Sequence, residues 1–65
     1  MDRLIGSTFL YKHGGGVTEY RVTRPHRDLG YYECVATRAI SGTHHFLGSI
    51  QIFRAQDIRA RLEAA

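Results

Sequence analysis

Three consecutive glycines, Gly14-Gly15-Gly16, separate two stretches of interleaved apolar and polar residues, and that pattern allows little besides a β-hairpin. Glycine supplies the positive φ values that a tight reversal requires. Before the turn, Ile5, Phe9 and Tyr11 share one parity and Leu4, Thr8 and Leu10 the other, with the β-branched and aromatic content of a strand. This predicts a strand over 4–13. After it, Val17 to Arg24 predicts a second, with Tyr20 and Val22 on one face and Glu19, Arg21 and Thr23 on the other.

Pro25 lacks an N–H donor and restricts its predecessor, so it is expected to end the pairing and open a loop running to Gly30. A third strand is predicted over 31–38. It places Tyr32, Cys34 and Ala36 on one parity and Tyr31, Glu33 and Val35 on the other, without deciding which faces the core. Ser41-Gly42-Thr43 reads as a turn, followed by a fourth strand over 44–53 with Phe46, Gly48, Ile50 and Ile52 on one face. Gly48 would mark a bend or bulge there. The tail predicts a helix over 55–64, rich in helix formers, with Ala55, Ile58, Leu62 and Ala65 in one stripe. Asp57 with Arg61 and Arg59 with Glu63 stand at i,i+4 spacing. The expected fold is mainly β (α+β): a four-stranded antiparallel meander with one C-terminal α-helix. Curled on itself, it would resemble a small SH3-like barrel, an outline that implies no activity.

With 65 residues the chain has room for one small domain, expected over 1–65, and a thin stability margin. Small chains without disulfides or metals often recover that margin by oligomerising. The first, third and fourth predicted strands are apolar on both parities, and one short helix cannot cover both faces of a sheet. Association is the expected consequence. No apolar run approaches the ~20 residues of a membrane span, and the N-terminal residues do not resemble a secretory signal. A single cysteine points to a reducing compartment, so a cytoplasmic location is expected.

Catalytic patterns are weak. Gly14-Gly15-Gly16 lacks the third glycine or the Lys-Ser/Thr of phosphate loops, and a strand rather than a helix follows it. Among His13, His26, His44 and His45, the adjacent pair would project to opposite faces of a strand, so no metal site is expected. Cys34 in mid-strand reads as a small buried hydrophobe rather than a nucleophile. Glu19 and Glu33 fall on neighbouring strands, but Arg21 beside Glu19 makes a cross-strand ion pair the simpler reading. Neither enzymatic activity nor a cofactor is expected.

The most suggestive patch is Arg24-Pro25-His26-Arg27 followed by Gly30-Tyr31-Tyr32, in a chain of net charge +3. Cations neutralise phosphates and tyrosine rings stack on bases. The leading expectation is a non-enzymatic nucleic-acid-binding or regulatory module that uses Arg24, Arg27 and Tyr31, supported by Lys12, Arg21 and Arg38. The alternative is a protein-interaction module, a homo-oligomer, inhibitor or accessory subunit, in which Leu10, Val35 and Leu47 form an apolar interface. A small-ligand cleft at a subunit interface, lined by histidines and tyrosines, is a third reading. No membrane partner is expected.

Overall fold

The hairpin forms as the glycines dictate. In the computed structural model, which describes residues 3–42 and 47–64, β1 (Thr8–His13) turns through Gly14 and Gly15 into β2 (Gly16–Pro25). His13 lies opposite Gly16 and Thr8 opposite Arg21. Only Gly16 of the three glycines takes a positive φ, at 134°. β3 (Tyr31–Gly42) and β4 (Ile50–Arg54) complete an antiparallel sheet of order β1-β2-β3-β4, and α1 (Ala55–Ala64) follows β4 directly. The predicted meander and terminal helix are therefore present.

Several boundaries differ from expectation. Leu4 to Ser7 form a turn, closed by the Ser7 amide on the Leu4 carbonyl at 3.0 Å, so β1 is shorter than predicted. That turn inverts the local alternation, burying Leu4 and leaving Ile5 exposed. Pro25 does not end the pairing. It is the last residue of β2, opposite Tyr32, and the His26 amide adds a further bond to the Tyr31 carbonyl at 2.9 Å. Ser41 and Gly42 extend β3 rather than forming a turn, because Gly42 pairs with Gly16. Gly48 lies in the turn before β4, which starts at Ile50 and not near residue 44. Thr43 to Phe46 are outside the described residues.

One face of the sheet carries the core. Phe9, Thr18, Tyr20, Val22, Cys34, Ala36 and Phe53 are buried there, joined by Leu4 and by Ile58 of the helix. The buried parity of β3 is that of Cys34, and in β4 it is that of Phe53, not of Ile50 and Ile52. Aromatic rings fill the centre. Phe53 meets Phe9, Tyr11 and Tyr20 edge-on at centroid separations of 5.1, 5.0 and 5.1 Å, a geometry favoured by the ring quadrupoles. Burial pushes the Cys34 thiol up from its ordinary 9.0 to about 11. The Tyr20 hydroxyl is raised as well, first by burial and then by Tyr11 and Cys34 beside it.

Register shifts at three places along β2–β3 show why the sheet curls, since bulges add twist and bend. The curl carries β1 and β4 towards each other, and Tyr11 and Phe53 touch across the gap. Helix α1 packs against both edge strands. The two do not pair, so the sheet is open and not closed into a barrel.

Candidate functional site

Among the described residues, nothing covers the side of the sheet away from the core. Its cross-strand rows follow from the pairing: Thr8, Arg21, Val35 and Ile50 stand in line, with Glu33 opposite both Arg24 and Ile52, and Tyr31 opposite Arg54. Ile50 is 62% exposed, Ile52 41% and Tyr31 39%, and Val35 is partly buried between its neighbours. An aliphatic patch with one aromatic ring thus occupies the β3–β4 half of this face.

The charges around the patch are largely paired. Arg24 Nε donates to Glu33 Oε1 at 2.8 Å, and an Arg38 Nη2 donates to Glu19 Oε2 at 3.4 Å. Glu19 also accepts from the Thr37 hydroxyl at 3.0 Å. The bulges between Glu19 and Tyr20 and between Val22 and Arg24 set these partnerships, because each shifts the register by one residue. Glu19 and Glu33 therefore serve separate arginines, and Arg21 partners neither of them among the described residues.

The six residues considered for nucleic acid do not form one cluster. Lys12 and Arg38 lie at the end of the sheet that carries the hairpin turn. Arg24, Arg27 and Tyr31 lie at the opposite end, where Arg24 is five strand residues, or roughly 17 Å at the usual rise per residue, from the Glu19 that pairs with Arg38. Arg21 stands between them, opposite Val35. Arg27 is exposed in a short loop that is pinned by its own bonds: the Asp28 amide donates to His26 Nδ1 at 3.2 Å, and the Tyr31 amide to the Asp28 carbonyl at 3.2 Å. Of the interface residues, Leu10 is 50% exposed on β1, Val35 lies in the patch, and Leu47 is 49% exposed in the turn before β4. Ile50 and Ile52 belong with them. Their exposure was hidden in the sequence because the strand is apolar on both parities and only the packing of Phe53 selects one.

His13 and His26 are engaged locally. Gly15 N–H donates to His13 Nδ1 at 3.1 Å, which leaves the ring proton on Nε2 to donate to the buried Thr18 hydroxyl at 2.8 Å. His13 thereby buckles the hairpin and satisfies a polar group in the core. Among the described residues no three His, Cys, Asp or Glu side chains converge as metal ligands, and His44 and His45 lie outside those residues. Nor is there, among them, a helix long and apolar enough to cross a membrane.

A second feature was not anticipated. A cleft of about 410 Å³ follows residues 51–54 of β4, with Tyr11 on its core side, Tyr31 on its outer side, and Asp57 and Arg61 of α1 at one end. The Arg61 guanidinium sits 5.1 Å from the centroid of the Tyr11 ring, and its Nη1 donates to the Asp57 carbonyl at 3.0 Å. The Asp57 carboxylate is taken by Arg54 Nε at 3.3 Å, not by Arg61 as the helix spacing suggested. A smaller cavity of about 240 Å³ continues the seam between β1 and β4, past Tyr11 and Gln51 to His13, Tyr20 and Ser49. No family model, curated protein or solved structure matches the chain.

Proposed function

We propose that this chain is a protein-interaction module whose open sheet face is covered by a second copy of itself. The observation that carries the reading is the exposed pair Ile50 and Ile52, with half-buried Val35 next to them, beside arginines already bound to carboxylates. Such a face gains by excluding water from apolar surface and offers few free cations to a phosphate backbone. The small size supports a second copy as the occupant, since a chain with so limited a core is stabilised by whatever its exposed face buries.

The test is sedimentation of the purified chain from about 10 to about 500 µM, a span over which mass action reveals weak dimers. A dimer that persists in high salt and is lost in Ile50→Asp supports the reading. A monomer throughout overturns it. Binding of labelled oligonucleotides that weakens steeply between about 50 and 200 mM salt would instead favour nucleic-acid recognition through Arg21, Arg24 and Arg27.

A further inference from the structure

From the cleft beside β4 we infer a peptide-binding groove, in which an extended acidic segment of a partner adds to the free edge of β4 and places a carboxylate on Arg61. Three observations converge on it. Among the described residues β4 is the last strand of the sheet, so one of its edges has no β neighbour there. Antiparallel bonding alternates along a strand, and the Ala36 amide bonds to the Ser49 carbonyl at 3.1 Å while the Ala55 amide bonds to the Gly30 carbonyl at 2.8 Å. Counting between these bonds makes the Cys34–Gln51 and Tyr32–Phe53 pairs the bonded ones, and directs the N–H and C=O groups of Ile50 and Ile52 away from β3. These groups are what an added strand engages.

The cleft runs along β4 and is not confined to a single face. It is lined by consecutive β4 residues of both parities, with Tyr11 and Tyr31 on opposite sides of the strand. Its charge is unbalanced. Two arginines, Arg54 and Arg61, border it against the single carboxylate of Asp57, which Arg54 occupies. Arg61 has no carboxylate partner among the described residues, yet Tyr11 and the Asp57 carbonyl hold its guanidinium in place. A planar cation with spare N–H donors, fixed at the end of an open strand edge, is suited to a carboxylate. Ordering the arginine in advance lowers the entropy lost on binding. This surface shares Ile52 and Tyr31 with the open face proposed for self-association, but it alone includes Tyr11 and Arg61.

The probe is a short capped peptide of alternating valine and threonine with one central aspartate, titrated into isotope-labelled protein and followed by amide NMR. Shifts are expected at Ile50, Ile52 and the Arg61 side chain. Replacing the aspartate by asparagine, or Arg61 by Gln, is expected to weaken binding about tenfold, as for the loss of one charge-assisted contact. Ile52→Pro removes an outward N–H at a position where an edge strand tolerates proline, and is expected to abolish binding. Arg61→Gln remains as a test should that variant not fold. No shifts at millimolar peptide, shifts at Val35 and Ile50 that leave out the Arg61 side chain, or equal affinity for the asparagine peptide would overturn the inference. Self-association is read in the peptide-free sample, so either proposal can fail alone.

Discussion

Gly16 and Gly42 face each other across β2 and β3 with their backbones nearly touching, at φ values of 134° and 89°. A Cβ on Gly42 would run into the Gly15 carbonyl, and one on Gly16 into the Ser41 carbonyl. Gly42→Ala is therefore expected to cost about 2–4 kcal/mol, combining a left-handed backbone with a backbone clash. Gly14→Ala, which meets nothing within 4 Å, is expected to stay within about 0.5 kcal/mol of the parent. Urea denaturation of the two variants measures both. The glycine run thus announces the hairpin correctly, but its third member also serves a contact with β3 that local sequence does not reveal. Cys34 makes a second prediction at this scale. Its folded pKa is about 11 against an ordinary 9.0, so the neutral thiol is the form the fold favours. That contribution is complete below the ordinary value and is lost as pH rises towards the folded one; Tyr20 shifts in the same direction. Melting temperature is expected to fall in alkali above pH 9, and the native thiol to react slowly with alkylating reagents at neutral pH. Both are read directly, by thermal scans and by mass spectrometry.

Among the elements, α1 depends most on its surroundings. Ten residues make a helix too short to persist alone in water. It is held by Ile58, which is wholly buried, with Ala55 and Leu62 packed beside it. Ile58→Ala is expected to destabilise the chain by about 3 kcal/mol, the usual range for emptying a core site. Arg59→Ala, on the exposed side, is expected to change stability by less than about 0.5 kcal/mol. Thermal or urea melts separate the two. The stripe of Ala55, Ile58 and Leu62 was legible because helical spacing aligns these residues whatever they touch. The fate of Arg61 was not, because its partner ring belongs to Tyr11, fifty positions earlier in the chain. The inward face of β4 was not legible for a similar reason: with Ile50, Ile52 and Phe53 all apolar, alternation alone cannot choose it.

At the scale of the molecule, the curl of the sheet and the docking of α1 leave the open face and the seam between the edge strands without cover among the described residues. Burying the open face against a second copy predicts that Val35→Asp and Ile50→Asp abolish dimerisation in sedimentation while leaving the monomer folded, since neither residue belongs to the core. Raising salt is expected to leave that dimer intact, as its apolar contacts are not screened. Arg24→Ala removes the exposed partner of the Glu33 carboxylate, whose side chain is only 20% exposed, and is expected to lower monomer stability by about 1 kcal/mol.

Sequence by itself determined the order of elements, the hairpin and its register parity on β2, the helix and its inward stripe, and a fold dominated by antiparallel strands. These properties arise from short-range chemistry: glycine at the reversal, alternation of side chains along a strand, and three- and four-residue spacing along a helix. Tertiary structure decided which faces of β3 and β4 are buried, where β1 and β4 begin, which arginine meets which carboxylate, and that the sheet stays open. Each of those outcomes depends on groups distant in sequence. Phe53 packs among rings from β1 and β2, two bulges displace Arg24 and Arg38 onto Glu33 and Glu19, and the helix lies against both edge strands while they remain unpaired.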